Sequence, residues 1–292
     1  MGRAEQTGTL MGKQTKIPRK SVGNILSFIL KLCIILLFVS PFYIAIVYAV
    51  KSPEETIATG LAFPTSIHWE NFTEAIEVSN FWNASKNSLI VTVASVILLT
   101  VLCTMAAYVI ARNPRSKFYQ GLYYVFLAAI MLPFQVLMLP LYVQLKDFGL
   151  MNTRIGLILI ISSFQLAYNI FVYVGFIKSI SLEIEEAAFI DGAGKFVTFW
   201  KIVFPLMKPI VSSNLVLNAL AVWNDFQISL IISQKPEVRT IPLTQYFFFG
   251  QYSVKLNMAF AAFVLAMLPI IVLYFLMQKY IIGGVMAGAV KG

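Results

Sequence analysis

Acidic residues that follow Ser181 have the types and spacing for ion-pair recognition of another protein. Serine accepts hydrogen bonds at helix N-termini, and Glu183, Glu185 and Glu186 come next, where the helix dipole favours negative charge. Gly192 then ends the pattern, because glycine adopts the left-handed conformation that closes helices. We predict a short acidic helix whose carboxylates pair with a partner's arginine. A plain linker between two apolar segments is the alternative.

A basic and aromatic segment follows this acidic helix. Its large apolar residues recur at helical spacing, at Phe196, Phe199, Trp200, Val203, Phe204 and Met207. Lys195, Lys201 and Lys208 accompany them. The pattern is typical of an amphipathic helix at a membrane surface. Pro205 and Pro209 are expected to bend or end it before the next apolar run.

Residues suited to catalysis or cofactor binding are sparse. The segment 192–195 (GAGK) is similar to part of a phosphate-binding loop, but Phe189 and Phe196 stand where the full pattern needs Gly and Ser or Thr. His68 is the one histidine, and both cysteines, Cys33 and Cys103, fall inside apolar runs. We therefore predict no catalytic residue, no metal site and no ATP binding by this chain.

The composition indicates a membrane protein. Of 292 residues, 59% are hydrophobic and 12% are charged, too few charges to cover a soluble domain. Six apolar runs are each long enough to cross a bilayer as a helix. They are expected to be helical, because lipid offers no hydrogen bonds to the backbone. They cover about 25–50, 87–111, 120–144, 156–177, 209–232 and 257–280.

The distribution of lysine and arginine orients these six helices. Both residue types are more frequent in the segments that lie inside when the N-terminus is cytoplasmic, which are 1–24, 112–119, 178–208 and 279–292. Positive charge is enriched in cytoplasmic segments of membrane proteins. We therefore predict that both termini and the acidic helix are cytoplasmic.

One motif in the cytoplasmic segment 178–208 resembles the EAA signature of bacterial ABC importer permeases. The matching residues are Glu186, Ala187, Ala188, Asp191, Gly192, Ala193, Ile202 and Pro205. Phe204 departs from the leucine that is usual before this proline. The resemblance implies that this segment is a coupling helix that docks into a separate ATPase subunit, with Glu186 as the carboxylate that pairs with a basic ATPase residue.

Four further stretches are similar to the maltose-type permease G class of carbohydrate importers. They are NSLIVTVAS (87–95), LPFQVLMLPLYVQLKDFGLMNTRIGLIL (132–159), WNDF (223–226) and QKYIIGGVMAGAVKG (278–292). The likeness covers about 40–292. It implies the type I ABC importer permease fold, a bacterial plasma-membrane location, and a di- or oligosaccharide as substrate, with the specific sugar left open.

The same resemblance implies a set of partners. They are a second homologous permease, two ATPase subunits that hold ATP and magnesium, and an extracytoplasmic sugar-binding protein, with no nucleic acid. The chain then divides into a basic N-terminal segment (1–24), a first transmembrane helix (25–50), an extracytoplasmic loop (51–86), a core of five transmembrane helices (87–280) and a cytoplasmic tail (281–292). The resemblance implies that the tail contacts the ATPase pair, and a disordered end is the alternative.

Polar residues inside the apolar runs are candidates for the wall of a sugar pathway. Asn214, Asn218 and Asp225 fall on one face of the fifth run. The other candidates are Gln135, Asn169, Trp223 and Asn224. Hydrogen bonding between helices is the alternative for the amides, and a place at the membrane surface is the alternative for the tryptophan. Pro133 and Pro140 predict a bend in the third run.

Aromatic residues cluster in the last outer loop. They are Tyr246, Phe247, Phe248, Phe249 and Tyr252. The resemblance implies that this loop faces the binding protein, and an aromatic belt at the lipid interface is the alternative. Among other functions, an ion-coupled secondary transporter is the main alternative. Asp225 is the single acidic residue inside an apolar run, and inverted repeats typical of that class are not evident.

Overall fold

The structure is a computed structural model that describes the backbone over 19–251 and 255–289 and side chains within 24–246 and 255–278. The secondary structure of these described residues consists of α-helices with one 3₁₀ turn and one π turn, and they contain no β-strand. The helices are α1 (Arg19–Ala49), α2 (Pro53–Thr59), α3 (Glu70–Val78), α4 (Phe81–Arg112), α5 (Lys117–Ile130), α6 (Phe134–Asp147), α7 (Arg154–Lys178), α8 (Leu182–Ile190), α9 (Lys195–Thr198), α10 (Phe204–Leu206), α11 (Lys208–Trp223), α12 (Gln227–Ile232), α13 (Ile241–Gln251) and α14 (Leu256–Ala289).

Four straight helices are long and apolar enough to cross a membrane, namely α1, α4, α7 and α14. Two bent pairs, α5 with α6 and α9–α10 with α11, raise the number to six within the described residues. The chain is therefore a multi-pass membrane protein of the predicted all-α class. The predicted extracytoplasmic loop 51–86 contains α2 and α3, and α4 begins inside it at Phe81.

The third apolar run is bent as its prolines predict. α5 and α6 meet at an angle of 105°, and Pro133 caps α6 at the break. Pro140 lies inside α6 without ending it. The fifth run also differs from a single straight helix, because α11 ends at Trp223 and α12 begins after Asp225.

The core of the bundle is the contact between α4 and α7. Cys103 and Ala107 of α4 pack with Ile170 and Tyr173 of α7, and all four are buried. By contrast, the described side chains of α1 are mostly exposed, and near its end α1 packs against α14, where the rings of Tyr48 and Phe260 are 5.0 Å apart. The predicted tail begins as helix, since α14 continues to Ala289.

Candidate docking site and polar network

The predicted short acidic helix is present as α8. Ser181 stands at its N-cap, and its side chain accepts a hydrogen bond from the Glu183 backbone N–H at 3.3 Å. Glu183 and Glu185 lie in its first turn, where their charge is favourable. The local sequence thus determines where the helix begins.

A glycine turn ends α8 in the conformation that the sequence predicts. Gly192 has φ +84°, and its N–H donates to the Phe189 carbonyl at 3.1 Å. The next N–H, of Ala193, donates to the Ala188 carbonyl at 2.9 Å. These two bonds form a Schellman motif, which satisfies carbonyls at the helix end and fixes the direction of the chain leaving it.

Half of the residues of the EAA-like motif are exposed. Glu186, Ala187, Asp191 and Gly192 face solvent, whereas Ala188 is buried. The exposed apolar side chains of Ile184, Phe189 and Ile190 lie on the same short helix. An acid beside exposed apolar surface is the composition of a protein-docking surface.

Glu185, which the sequence analysis did not distinguish from its neighbours, faces the membrane bundle. It is 2% exposed. The Arg112 guanidinium donates to its Oε1 from Nε at 2.7 Å and contacts the same oxygen from Nη2 at 2.6 Å. The Tyr108 hydroxyl donates to its Oε2 at 2.8 Å. Consecutive helical residues point about 100° apart, so one of two adjacent glutamates is expected to face the bundle. The sequence alone does not tell which of the two it is.

The segment after α8 differs from a single interfacial helix. It is divided into α9, a π-helical turn at Phe199–Val203, and α10, and Pro205 stands in the first turn of α10. Phe199 and Val203 are buried in the α4–α7 core cluster, which a helix lying on the membrane surface would not predict. Ile202 and Pro205 are half-buried.

A groove of about 700 Å³ lies beside the exposed face of α8. It runs between the ends of α4 and α5 and the segment α8–α9. Tyr108, Arg112, Glu186 and Lys195 are among the side chains that line it. The carboxylate predicted to bind the ATPase therefore stands at the rim of an aromatic and charged depression.

Three of the predicted pathway residues form a buried amide network between α7 and α11. Asn169 Oδ1 accepts from Asn214 Nδ2 at 2.6 Å and from Asn218 Nδ2 at 2.7 Å. Asn169 Nδ2 donates to Asn218 Oδ1 at 3.0 Å. All three are at most 2% exposed. In this conformation the amides bind one another, and their contact with a sugar stays a prediction.

The remaining pathway candidates lie apart from this network. Trp223 is buried with Phe81 and Ile241, and Gln135 and Asn224 are exposed. Asp225 accepts from the Ser229 N–H and hydroxyl, each at 3.0 Å, near the start of α12. The structure therefore brings together only the three buried asparagines.

Replacing Asn169 with alanine is expected to destabilise the purified protein by about 1 kcal/mol, because the amides of Asn214 and Asn218 lose their shared acceptor. The measurement is thermal unfolding in detergent. Asn224→Ala is the matched control, since its side chain bonds only to the Leu220 carbonyl of its own helix. Unchanged stability with a raised KM for sugar uptake would contradict the expected role and assign Asn169 to the pathway.

Near the N-terminal end of α4, Asn87 is fully buried and makes three hydrogen bonds. Its Nδ2 donates to the carbonyls of Glu237 and Arg239, each at 2.9 Å, and its Oδ1 accepts from Arg154 Nε at 2.7 Å. Sequence reasoning missed this role, because the partners are distant in the chain.

Four of the predicted binding-protein contacts, Tyr246 to Phe249, belong to α13, which begins two residues after the Arg239 carbonyl that Asn87 binds. Tyr246 is 55% exposed, and its ring lies 5.1 Å from that of Phe226. The side chains of Phe247, Phe248 and Phe249 and the whole of Tyr252 lie outside the described residues. The contact of this group with a binding protein stays a prediction.

Known proteins are similar to this chain in sequence over most of its length. The family described as binding-protein-dependent transport system inner membrane component matches residues 103–286. The chain is 35% identical to the probable starch degradation products transport system permease protein of Thermoanaerobacterium thermosulfurigenes, over 88% of this chain and 93% of the relative. It is 36% identical to the melibiose/raffinose/stachyose import permease protein of Bacillus subtilis, over 86% of this chain and 91% of the relative.

Solved structures share the fold. A chain in the crystal structure of a bacterial ABC transporter involved in the import of the acidic polysaccharide alginate matches with a TM-score of 0.75 and 24% identity, over 90% of this chain and 98% of that one. A second alginate ABC transporter structure, in complex with an alginate pentasaccharide-bound periplasmic protein, matches with a TM-score of 0.65. At these identities the likeness bears on the fold alone.

Proposed function

The chain belongs to the family of binding-protein-dependent transport system inner membrane components, and we propose that it is a permease subunit of an ATP-driven sugar importer. The observation that carries this proposal is the exposed docking helix α8, with Glu186 on its surface and the Gly192 turn at its end. The chain supplies half of a translocation pathway and catalyses no reaction. ATP and magnesium belong to two separate ATPase subunits.

The substrate class follows from the relatives and from the chemistry of the membrane helices. The relatives carry the names of starch-product, melibiose, raffinose and stachyose systems, and a third, from Streptococcus mutans, is a multiple sugar-binding transport system permease at 36% identity. Away from their ends, α7 and α11 carry uncharged polar side chains, including the amides Asn169, Asn214 and Asn218, which suit hydroxyl groups. We infer a neutral di- or oligosaccharide delivered by an extracytoplasmic binding protein in a bacterial plasma membrane.

The mechanism we propose is alternating access. ATP closes the ATPase dimer, α8 moves with the ATPase surface that holds it, and this chain and a sister permease rock to open the pathway outward. The exposed apolar length of α1 and the exposed face of α11 are surface available to that sister permease or to lipid.

The test is purification of the tagged chain from its native membranes in detergent, followed by mass spectrometry of what accompanies it and by uptake measurements in vesicles. A sister permease and an ATPase are expected to co-purify. Uptake of radiolabelled maltotriose, melibiose or raffinose is expected to require both ATP and the binding protein. Recovery of the chain alone, with uptake driven by an ion gradient and without ATP, would replace the proposal with a secondary transporter.

A further inference from the structure

Helix α4 is built as one stiff element across the whole bundle. Its 32 residues, Phe81–Arg112, include neither glycine nor proline, the residues at which helices most often kink. At 1.5 Å per residue it is about 48 Å long, which exceeds the thickness of the hydrocarbon core of a bilayer. A displacement at one end is therefore carried to the other with little bending.

The inner end of α4 binds the ATPase-docking helix through the side chains of Tyr108 and Arg112. Arg112 and Tyr108 bind both carboxylate oxygens of Glu185, and Arg112 also donates to the Ile180 carbonyl at 3.1 Å. The ion pair is sheltered, with side-chain exposures of 12% for Arg112 and 3% for Glu185. A buried pair resists separation, because parting it leaves a charge without a partner in a poorly solvated place.

The outer end of α4 holds the segment that leads into α13. Asn83 and Asn87 both donate to the Glu237 carbonyl at 2.9 Å, and Asn87 also reaches the Arg239 carbonyl. Two residues further on, the Ile241 N–H donates to the Ser88 hydroxyl at 2.9 Å. Four hydrogen bonds thus fix the outer loop to the first two turns of the same helix.

We propose that α4 is a connecting rod whose two hydrogen-bonded ends join the binding-protein side of the permease to the ATPase side. The inner clamp is Tyr108 and Arg112 on Glu185, and the outer clamp is Asn83, Asn87 and Ser88 on 237–241. Glu185 is then a positioning residue that ties α8 to α4, while its neighbour Glu186 faces the ATPase. This proposal rests on the proposed function, because it gives the route by which binding-protein arrival stimulates ATP hydrolysis.

If α4 connects the two clamps, the effects of variants at its two ends combine differently than if each clamp only stabilises its own surroundings. The clamps lie about 37 Å apart along α4, counted from residue 87 to residue 112. Defects at sites this far apart combine independently when each only weakens its own surroundings. If both clamps are parts of one connection, loosening one end already interrupts it. Loosening the second end then causes little further loss of stimulation.

The experiment uses the complete importer in vesicles, with the binding protein loaded with whichever of maltotriose, melibiose or raffinose the wild type imports fastest. The readout is the factor by which the loaded binding protein stimulates ATP hydrolysis over the basal rate. Tyr108→Phe loosens the inner clamp and keeps the ring beside Phe199. Ser88→Ala loosens the outer clamp. Each is expected to lower the stimulation factor about threefold, because each removes one hydrogen bond from its clamp.

The double variant Tyr108→Phe/Ser88→Ala decides the proposal. A rod predicts about the same threefold loss as the single variants, whereas independent sites predict about ninefold. The stronger pair, Arg112→Gln and Asn87→Ala, is expected to follow the same pattern, with no greater loss together than singly. The mild pair keeps the test valid if a strong variant fails to fold.

Matched controls use the same substitutions at exposed sites of α7. They are Tyr168→Phe, and Ser163→Ala, whose hydroxyl bonds the Leu159 carbonyl within its own helix. Both are expected to keep wild-type stimulation. A ninefold loss in the double variant, or wild-type stimulation in both single variants, overturns the rod while the wild-type importer still works. A wild type that neither imports sugar nor responds to the binding protein overturns the proposed function and the rod together.

Discussion

Importers that carry Gly192→Val are expected to lose at least about tenfold in ATP-driven sugar uptake, although the chain remains in the membrane. Gly192 has φ +84°, a conformation that costs an L-residue about 1–2 kcal/mol and a β-branched one more. The valine relieves this strain by leaving the left-handed region, which breaks the bond from the Ala193 N–H to the Ala188 carbonyl. The docking helix then meets the ATPase in a different direction.

The Gly192→Val variant tests the backbone conformation and not steric crowding, because no neighbouring heavy atom lies within 4 Å of a Cβ placed at Gly192. Gly192→Asn is expected to retain most uptake, since asparagine tolerates the left-handed conformation. Gly194→Ala is the matched control, because Gly194 has φ −75° and equally open space. Uptake by Gly192→Val that equals the Gly194→Ala value would show that the turn does not set the docking direction.

Replacing Glu186 with alanine is expected to release the ATPase from the complex. The side chain is exposed at the rim of the groove beside α8, so its loss disturbs no buried contact of this chain. Truncating one member of a desolvated ion pair at an interface costs about 2 kcal/mol or more, which corresponds to roughly thirtyfold weaker binding. The measurement is the amount of ATPase that co-purifies with the tagged permease, together with ATP-driven uptake.

Glu183→Ala is the control for this variant, because it removes an exposed glutamate from the same helix and leaves Glu186 in place. Full recovery of the ATPase and full uptake with Glu186→Ala would reject Glu186 as the docking carboxylate. Equal losses in both variants would attribute the effect to the charge of α8 as a whole instead of to one residue.

The sequence by itself determined the features that depend on local chemistry. Apolar runs of sufficient length must be helices in lipid, so the class and the approximate spans followed from composition. The ends of α8 followed from Ser181 and Gly192, because capping needs only residues that are neighbours in the chain. The bend at Pro133 followed for the same reason, since proline interrupts the helix where it stands.

Only the tertiary structure decided which polar groups meet. Glu185 and Glu186 are adjacent and chemically alike, and Arg112, far away in sequence, determines that Glu185 is the buried one. The amides of Asn169 and Asn214 were candidates for a sugar pathway, and the packing of α7 on α11 joins them to each other. Asn87 carried no local signal at all. Hydrogen bonds between distant segments depend on how helices pack, and that packing is not encoded in any single stretch of the chain.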